Sequence, residues 1–538
     1  MSVKHKTTII GLDGAGFFLV QDWMKKGYLP NLKKIAEKGV FTPLNSSFIP
    51  ITPIAWTSIT TGKNAGKHGI FDWSVRKGNG YEYDIVSSIH CKADRLWNIL
   101  NRYRFTTGVF NIPITYPPDD VNGFFISGFD TPSMDSDFTR PEGLKDDLLK
   151  NVKDYELFAE VGYTKGEEKR YADVLKRHLK SKRDAINFLL DRYDCDFNIF
   201  VVMELDHLHH KLWKLVEKES TLAIEVYALA DEIVGDILLR RPNDNIFIIS
   251  DHGGGSLEGV IYLNRWLMRE GLLNVYDSPL LRIKYLLSKY DVIAKTYRVI
   301  SKLGLGWMKR FLSKEAQEKF ATSFISFKDI DWSKTKAFAM GEFGQIYINE
   351  KEKYRDGIVA KEEYNDLVES IISHLKEIRG SSGISLIDLV YRKDEVYSGQ
   401  FLASAPDIIC SFRDYAYDSS VKFGFEQKDV IGPPEFEDTG THRREGIFFA
   451  CGPQIKRTEI ERQLDICDVT PTILYLFGCP IDKDMDGRVA EEIFKDDFKI
   501  NNHIEFVENK GWTGQKKDFT DEDREEVAKK LRALGYMD

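Results

Sequence analysis

The chain has 538 residues, of which 42% are hydrophobic and 30% are charged, and its formal net charge is −9. This length is enough to bury a large core and leaves room for an inserted domain. The acidic balance argues against a general affinity for nucleic acid, and the sequence has no run of 18 apolar residues that could span a membrane. The amino terminus lacks the apolar segment of a signal peptide, and the six cysteines form no CxxC pair. We therefore expect a cytoplasmic protein with free thiols.

Short apolar runs alternate with amphipathic segments along most of the chain. Residues 6–12 (KTTIIGL) predict a buried strand, and residues 30–38 predict a helix that Gly39 ends. Further strands are predicted at residues 106–111, 124–127, 197–203, 245–250, 337–349 and 406–412, and further helices at 170–191, 223–239, 362–378 and 468–477. This alternation favours an α/β fold with a mostly parallel sheet flanked by helices.

The region at residues 277–329 has a different character, because it is rich in lysine and helical in pattern. We interpret it as a helical cap inserted into a core formed by residues 1–276 and 330–495. Its basic, apolar-striped helices could instead touch a membrane surface, although most such helices pack on their own protein.

The last segment, residues 496–538, is a charged tail. Thr520 and Asp523 resemble a capping box at the start of a helix, and Val527, Leu531 and Leu534 give that helix one apolar stripe. We expect the tail helix to dock on the core.

The stretch from Ser47 to Trp73 (SFIPITPIAWTSITTGKNAGKHGIFDW) predicts a loop, a short helix and a glycine-rich loop. Thr52 precedes Pro53, which predicts that Thr52 is the N-cap of the helix and that Gly62 ends it. A helix N-terminus attracts anions, so a hydroxyl at this position is well placed to meet a phosphate. The plain alternative is an ordinary capping threonine.

Carboxylates and imidazoles stand at the ends of predicted strands and in nearby loops. The set is Asp13, Asp206, His210, Asp251, His252 and His442, the last in a predicted glycine-flanked loop. Carboxyl ends of parallel strands meet at the ligand-binding edge of a sheet. These ligand types suit Zn²⁺, with Mn²⁺ or Fe²⁺ as alternatives. Six ligands and one hydroxyl fit two ions, which about 3.5–4 Å apart can clamp a reacting phosphorus centre. Spacing from Asp206 does not by itself choose between His209 and His210, since both share a helix face with it.

Several of these stretches resemble the alkaline phosphatase superfamily, in the branch of type I phosphodiesterases and nucleotide pyrophosphatases. The matching segments, in the family's order, are GLDGAG, TPIAWTSITTG with KHGIFDW, DHLHH, SDHGGG, GTHRREGIFFACGP and DVTPTILYLFGCPIDKDMDGRV. The resemblance implies an alkaline-phosphatase-like fold and two divalent metal ions. It implies that one ion is held by Asp13, Thr52, Asp251 and His252, the other by Asp206, His210 and His442, and that Thr52 is the nucleophile. His207 and His209 are then neighbours of the site or bystanders.

The sequence departs from the family pattern at one position. Animal nucleotide pyrophosphatases place a phosphate-binding asparagine after the HGI stretch, and here that place falls on Trp73. Asn111 and Arg443 are candidates for phosphate contacts in its stead, with a turn asparagine and a surface arginine as the plain alternatives.

The predicted activity is metal-dependent hydrolysis of phosphodiester or pyrophosphate bonds in a small nucleotide-type substrate, through a phosphothreonine intermediate. The alternatives are a phosphomonoesterase, a phosphotransferase like the cofactor-independent phosphoglycerate mutases, and a non-catalytic binding protein on this fold. A sulfatase is disfavoured because residues 52–56 lack the Cys/Ser-x-Pro-x-Arg motif. The apolar Ile54, Ala55 and Trp56 are expected to pack against a second ester group, which favours diesters.

Overall fold

The computed structural model describes residues 6–158, 162–277, 279, 281, 327–380, 383–423, 429–435, 437–508 and 518–534. The predicted helical cap at residues 277–329 lies almost entirely outside the described residues. All six cysteines are free thiols, as expected. Within the described ranges, no helix combines the length and the apolar character needed to cross a bilayer.

A nine-stranded sheet forms the centre of the fold. Its strands are β1 (Thr7–Leu12), β2 (Val40–Asn45), β3 (Thr107–Ile112), β4 (Gly123–Ser127), β5 (Thr139–Arg140), β6 (Phe197–Val202), β7 (Asn245–Ile249), β8 (Glu445–Cys451) and β9 (Leu464–Asp465), in the spatial order β9-β2-β8-β7-β1-β6-β3-β4-β5. The five strands from β7 to β4 are parallel, whereas β8 and β5 run antiparallel to their neighbours. The predicted mostly parallel α/β sheet is confirmed.

The central strands are mostly apolar and are buried at every position, as expected of parallel strands covered on both faces. The helices are Phe17–Lys25, Pro30–Lys38, Thr52–Thr61, Ala65–His68, Leu96–Arg102, Leu144–Asn151, Glu168–Arg192, Glu204–Glu217, Thr221–Arg240, Leu263–Arg269, Lys361–Leu375, Lys393–Val396, Val469–Leu476, Asp496–Asn501 and Asp521–Leu534. Within the ranges that the structure describes, every predicted helix is present, with ends that differ by a few residues.

Three local predictions need correction. Thr52 is the first residue of its helix, and the extended Ile51 is the N-cap. His442 lies on a short strand, Gly440–Arg443, and not in a loop. The segment predicted as one strand at residues 337–349 is two antiparallel strands joined by a turn that contains two glycines. Gly62 does end the Thr52 helix, in the left-handed conformation that glycine adopts without steric cost.

A second, four-stranded sheet lies in the later part of the chain. Its strands, in spatial order, are Ala337–Ala339, Gln345–Ile348, Ile408–Phe412 and Ile387–Arg392. The helix Lys361–Leu375 shares a hydrophobic core with this sheet, and that core is separate from the core around the large sheet. A third cluster, which includes Ile54, Phe343 and Tyr415, joins the two units.

Smaller strand pairs complete the architecture. They are Ser74–Arg76 with Tyr83–Ile85, Gly253–Ser256 with Gly440–Arg443, Gly259–Tyr262 between Tyr417–Ser420 and Ile431–Gly432, and Ile481–Asp482 with Phe506–Val507.

The carboxyl-terminal helix docks on the core, as predicted. Thr520 and Asp523 form the reciprocal capping hydrogen bonds, with donor–acceptor distances of 2.9 and 3.2 Å. Val527 and Leu531 are buried in the main core. Arg524 pairs with Asp84 at 2.7 Å, which adds an ionic contact to the apolar ones.

Candidate active site

Three neighbouring strands of the large sheet deliver carboxylates to one edge. Asp13 directly follows β1, and Asp251 follows β7 by two residues. Strand β6 leads into the helix Glu204–Glu217, whose first turns carry Asp206 and His210. Because β7, β1 and β6 are adjacent and parallel, these side chains converge, as expected for a ligand site at the carboxyl ends of such strands.

His442 reaches the site from far along the chain. Its strand pairs antiparallel with Gly253–Ser256, which places His442 opposite Gly254 and beside the Asp251-His252 segment. The imidazole rings of His442 and His252 stack, with centroids 3.7 Å apart and 20° between their planes. This small two-stranded ladder therefore brings the last ligand to a site built by the large sheet.

The predicted ligands fall into two groups of three. In each group, one ligand atom per residue lies within 4.8 Å of the others, and the groups are Asp13, Asp251 and His252, and Asp206, His210 and His442. All six side chains are buried except that of His210, which is partly buried. The structure thus brings together the six residues that the sequence singled out, in the same two sets that the family resemblance implies.

Thr52 lies beside the first group. Its side chain is fully buried, and Oγ1 is 3.5 Å from Nε2 of His252. Because the helix begins at Thr52, its positive dipole end is directed toward this hydroxyl. A hydroxyl, two carboxylates and an imidazole are therefore grouped at a helix N-terminus.

The imidazoles present their Nε2 atoms to the site. His442 Nδ1 is 2.6 Å from the carbonyl oxygen of Pro50, and His252 Nδ1 is 3.1 Å from that of Gly253. In a neutral ring whose Nδ1 donates to a carbonyl, Nε2 carries the free lone pair, which is the arrangement typical of metal-binding histidines. Burial lowers the pKa of His210 to about 3 and that of His252 well below its usual range, so both rings are neutral near pH 7.

The carboxylates concentrate negative charge in a buried place. Burial raises the pKa of Asp13 well above its usual range, and the carboxylates of Asp251 and Asp206 raise it further. Burial and Asp206 also raise the pKa of Asp251, to about 8. Burial acts in the same direction on Asp206, but its contacts with the neighbouring imidazoles hold its pKa well below its usual range, and Asp206 in turn raises the pKa of His442. A bound cation is the natural partner for this charge.

Two unpaired oxygens test whether this set fits metal ions. Asp13 Oδ1 and Asp251 Oδ2 are enclosed and have no hydrogen-bond partner among the described residues. No lysine or arginine in the described part of the chain forms an ion pair with either carboxylate. Buried polar atoms are rarely left without a partner. A divalent cation, which carboxylate oxygens and imidazole nitrogens bind, would satisfy both oxygens. The group Asp13, Asp251 and His252 therefore fits a divalent ion, and the group Asp206, His210 and His442 offers the same types of donor for a second.

The predicted substrate-binding residues are placed less favourably. Asn111 uses Nδ2 to donate to the carbonyl oxygen of Val201, at 2.9 Å. The Arg443 guanidinium donates to the carbonyl oxygens of His442 and Ser256, both at 2.7 Å, so these contacts give no support to a phosphate contact. Trp73 is fully buried, and its ring packs edge-on against Phe129 at 5.6 Å.

The neighbouring His207 and His209 contact residues outside the two ligand groups. His209 turns away to Tyr227, with Nε2 2.8 Å from the phenolic oxygen, whereas His210 Nε2 lies 2.9 Å from His442 Nε2. His207 lies edge-on to Phe129 at 6.5 Å, and burial lowers its pKa to about 4. The choice of His210 over His209 thus agrees with the geometry.

One contributor was not predicted from the sequence. Trp56 Nε1 donates to Asp13 Oδ2 at 2.7 Å. Trp56, Ile54 and Ala55 are wholly buried, and their packing against a substrate ester group stays a prediction. A spacing signal existed, because Trp56 follows Thr52 by four residues and shares its face of the helix.

Comparisons with known proteins identify a matching family and similar folds. The family model for type I phosphodiesterase/nucleotide pyrophosphatase matches residues 7–422. The fold is similar to that of an inactive variant of murine ectonucleotide pyrophosphatase/phosphodiesterase 5 in complex with AMP (13% identity, 91% of this chain and 100% of that chain, TM-score 0.50). It is also similar to phosphonoacetate hydrolase from Sinorhizobium meliloti 1021 in complex with phosphonoacetate (14% identity, 87% and 94%, TM-score 0.53). No curated protein matched the sequence.

Proposed function

Since the chain belongs to the type I phosphodiesterase/nucleotide pyrophosphatase family, we propose that it hydrolyses phosphodiester or pyrophosphate bonds with Thr52 as nucleophile and two divalent ions, Zn²⁺ first among them. One observation carries the proposal. The Thr52 hydroxyl stands at a helix N-terminus beside the group Asp13, Asp251 and His252, and His252 in turn stacks on His442 of the second group. A hydroxyl at one of two adjoining groups of candidate metal ligands is suited to in-line displacement at phosphorus.

In this proposal the carboxylates and imidazoles hold the ions, and the Thr52 hydroxyl attacks phosphorus. Asp13, Asp251 and His252 would hold one ion, with Thr52, and the other group of three would hold the second. When bound, such ions lower the pKa of a coordinated hydroxyl and neutralise charge that develops on phosphate oxygens. His252 Nε2 faces the Thr52 hydroxyl but is also a ligand atom, so the hydroxyl proton passes to solvent in this proposal.

Thr52 then undergoes a two-step exchange. Its Oγ1 forms a bond to phosphorus while the bond from phosphorus to the leaving oxygen breaks, and the leaving group takes a proton from water. The helix N-terminus favours the negative charge on the phosphothreonine. Water then attacks the same phosphorus atom, Oγ1 departs, and the free threonine is restored.

Substitution of Thr52 tests this assignment. Thr52→Ala should lower kcat for bis-p-nitrophenyl phosphate by about a thousandfold or more, since the nucleophile is gone. Its zinc content should remain close to two ions per chain, because the six carboxylate and imidazole ligands stay in place. Thr52→Ser keeps a hydroxyl and should retain measurable turnover.

Metal removal supplies the control for the same experiment. Dialysis of the wild-type protein against a strong chelator should abolish hydrolysis, and added Zn²⁺ or Mn²⁺ should restore it. Near-normal turnover by Thr52→Ala would refute the nucleophile, and full activity in a verified metal-free preparation would refute the two-metal site. No hydrolysis by a wild-type protein that holds both ions, over a range of esters, would favour the non-catalytic alternative.

A further inference from the structure

Three aromatic rings form a stack across the site. The ring of His442 lies between those of Phe343 and His252, with centroid distances of 5.2 and 3.7 Å and interplanar angles of 25° and 20°. Its Nδ1 atom is held by the Pro50 carbonyl oxygen at 2.6 Å. The ring is therefore held on both faces and at one edge, which fixes the direction of Nε2.

Phe343 belongs to the four-stranded sheet and not to the sheet that carries the other ligands. It lies in the turn between Ala337–Ala339 and Gln345–Ile348. Its φ of +54° is uncommon for an aromatic residue, and such a conformation persists only where surrounding contacts hold it. Those contacts include Tyr415, whose ring meets Phe343 edge-on at 5.6 Å. The side chain of Phe343 is 4% exposed.

Asp72 fastens this turn to the segment that follows the Thr52 helix. Its carboxylate accepts hydrogen bonds from the Glu342 N–H at 3.3 Å and from Gln345 Nε2 at 3.1 Å. A Cβ at Gly341 would lie 1.9 Å from Asp72 Oδ2, so only glycine allows this approach. The turn that carries Phe343 is thus held against the large-sheet unit beside the site.

We propose that Phe343 is a positioning residue, by which the four-stranded sheet fixes the His442 ring and sets the metal affinity of the group Asp206, His210 and His442. This inference rests on the proposed function, since it concerns the same site. Phe343 contacts the face of the imidazole and no ligand atom, so it acts through His442. The group Asp13, Asp251 and His252 has its own carboxylates on the large sheet and depends less on this contact.

The test compares zinc affinities by calorimetry on the full chain. Phe343→Leu removes the ring face, and the affinity of one of the two zinc-binding events should fall about 10–100-fold, the usual effect of losing a residue that orients a ligand. The other event should change much less. Phe343→Tyr keeps the ring and should restore most of the lost affinity.

Phe338→Leu is the matched control. Phe338 lies on the first strand of the same hairpin, is wholly buried and packs on Tyr347 within the core of the four-stranded sheet. The Phe338→Leu substitution should lower the melting temperature without changing either zinc affinity. Equal losses in Phe343→Leu and Phe338→Leu, or unchanged zinc binding in Phe343→Leu, would overturn the inference.

The wild-type titration separates this inference from the proposed function. A wild-type chain that binds no zinc would overturn both. A chain that binds two ions with the expected difference between variants, yet hydrolyses no phosphoric ester, would support the positioning role and refute only the catalytic proposal.

Discussion

At the scale of single residues, the contact between Trp56 and Asp13 is as informative as the ligands themselves. The indole N–H donates to Oδ2 at 2.7 Å, while Oδ1 has no hydrogen-bond partner among the described residues. One oxygen of the carboxylate is therefore held by protein and the other is available to an ion. Hydrogen bonds of this kind orient a ligand and are costly to lose when buried.

Trp56→Phe should accordingly weaken zinc binding. The substitution keeps most of the ring volume and removes the only side-chain donor that the described residues offer to Asp13 Oδ2. We expect about a 10–100-fold loss of affinity in one binding event, measured by competition with a chromogenic chelator.

Trp97→Phe is the control for that measurement. Trp97 is also wholly buried and donates through Nε1 to a carboxylate, that of Asp119, at 2.8 Å. It is outside both ligand groups, so its loss should reduce stability and leave zinc affinity unchanged. Similar zinc affinities in the two variants would contradict the role given to Trp56.

The candidate carboxylate ligands at the strand ends could be predicted from the sequence because their positions follow from local rules. An aspartate just after a buried strand, such as Asp13 or Asp251, lies at the edge where parallel strands bind ligands. Phe343 and the Arg443 contacts have no such signal, since both depend on which distant segments meet after folding. The orientation of a side chain within a packed interface is decided by its neighbours, and sequence spacing does not encode it.

At the scale of elements, one buried ion cluster fixes the four-stranded sheet. Asp407 is wholly buried and accepts from the Ile348 N–H at 2.8 Å, the Tyr364 hydroxyl at 2.9 Å and Lys393 Nζ at 2.5 Å. Lys353 Nζ adds a contact at 3.3 Å. The carboxylate, just before the strand Ile408–Phe412, thus ties together a neighbouring strand, two helices and a connecting segment.

Asp407→Asn should destabilise the protein by about 3 kcal/mol, because it leaves two enclosed ammonium groups without their carboxylate. The effect should depend on pH. Burial raises the pKa of Asp407, but the charges of Lys353 and Lys393 outweigh burial and hold it below its usual range. A depressed folded-state pKa gives stability that is complete above the unfolded value of about 3.9 and is lost as pH falls below it.

Urea unfolding at two pH values measures this. The difference in free energy of unfolding between wild type and Asp407→Asn should be larger at pH 6 than at pH 3. Asp394→Asn is the control. Asp394 is 61% exposed and forms a surface ion pair with Arg392 at 3.5 Å, so this substitution should change the free energy of unfolding by less than about 0.5 kcal/mol. A difference that grows toward low pH would contradict the assigned direction.

Element boundaries show a similar division between local and distant causes. The helix Glu168–Arg192 was predictable because its own apolar spacing defines it. The strand Gly440–Arg443 was not, because its glycine-flanked sequence becomes a strand only by pairing with Gly253–Ser256, almost two hundred residues earlier. Such pairing is a property of the tertiary structure and overrides local preference.

At the scale of the whole molecule, the site lies where two separately cored units meet. The large-sheet unit supplies five of the six candidate ligands, and the third hydrophobic cluster, with Ile54 from the Thr52 helix and Phe343 from the smaller sheet, joins the two units. Ligand sites commonly form at such junctions. Substrate preference therefore depends on which charged groups the two units direct into the site.

The distribution of arginines predicts a preference for diesters over monoesters. The helix Thr52–Thr61 contains no arginine, and the Arg443 guanidinium is engaged by two backbone carbonyl oxygens. A monoester dianion carries one more negative charge than a diester and gains more from an arginine. A charge-assisted hydrogen bond contributes about 1.5–3 kcal/mol, so its absence should lower kcat/KM for the monoester about tenfold or more.

We expect kcat/KM for bis-p-nitrophenyl phosphate to exceed that for p-nitrophenyl phosphate by about this factor, with the same metal in both assays. Arg443→Gln should leave the ratio within about twofold, whereas a large change would show that Arg443 reaches the phosphate. A ratio that clearly favours the monoester would instead place the protein with the phosphatases or the mutases.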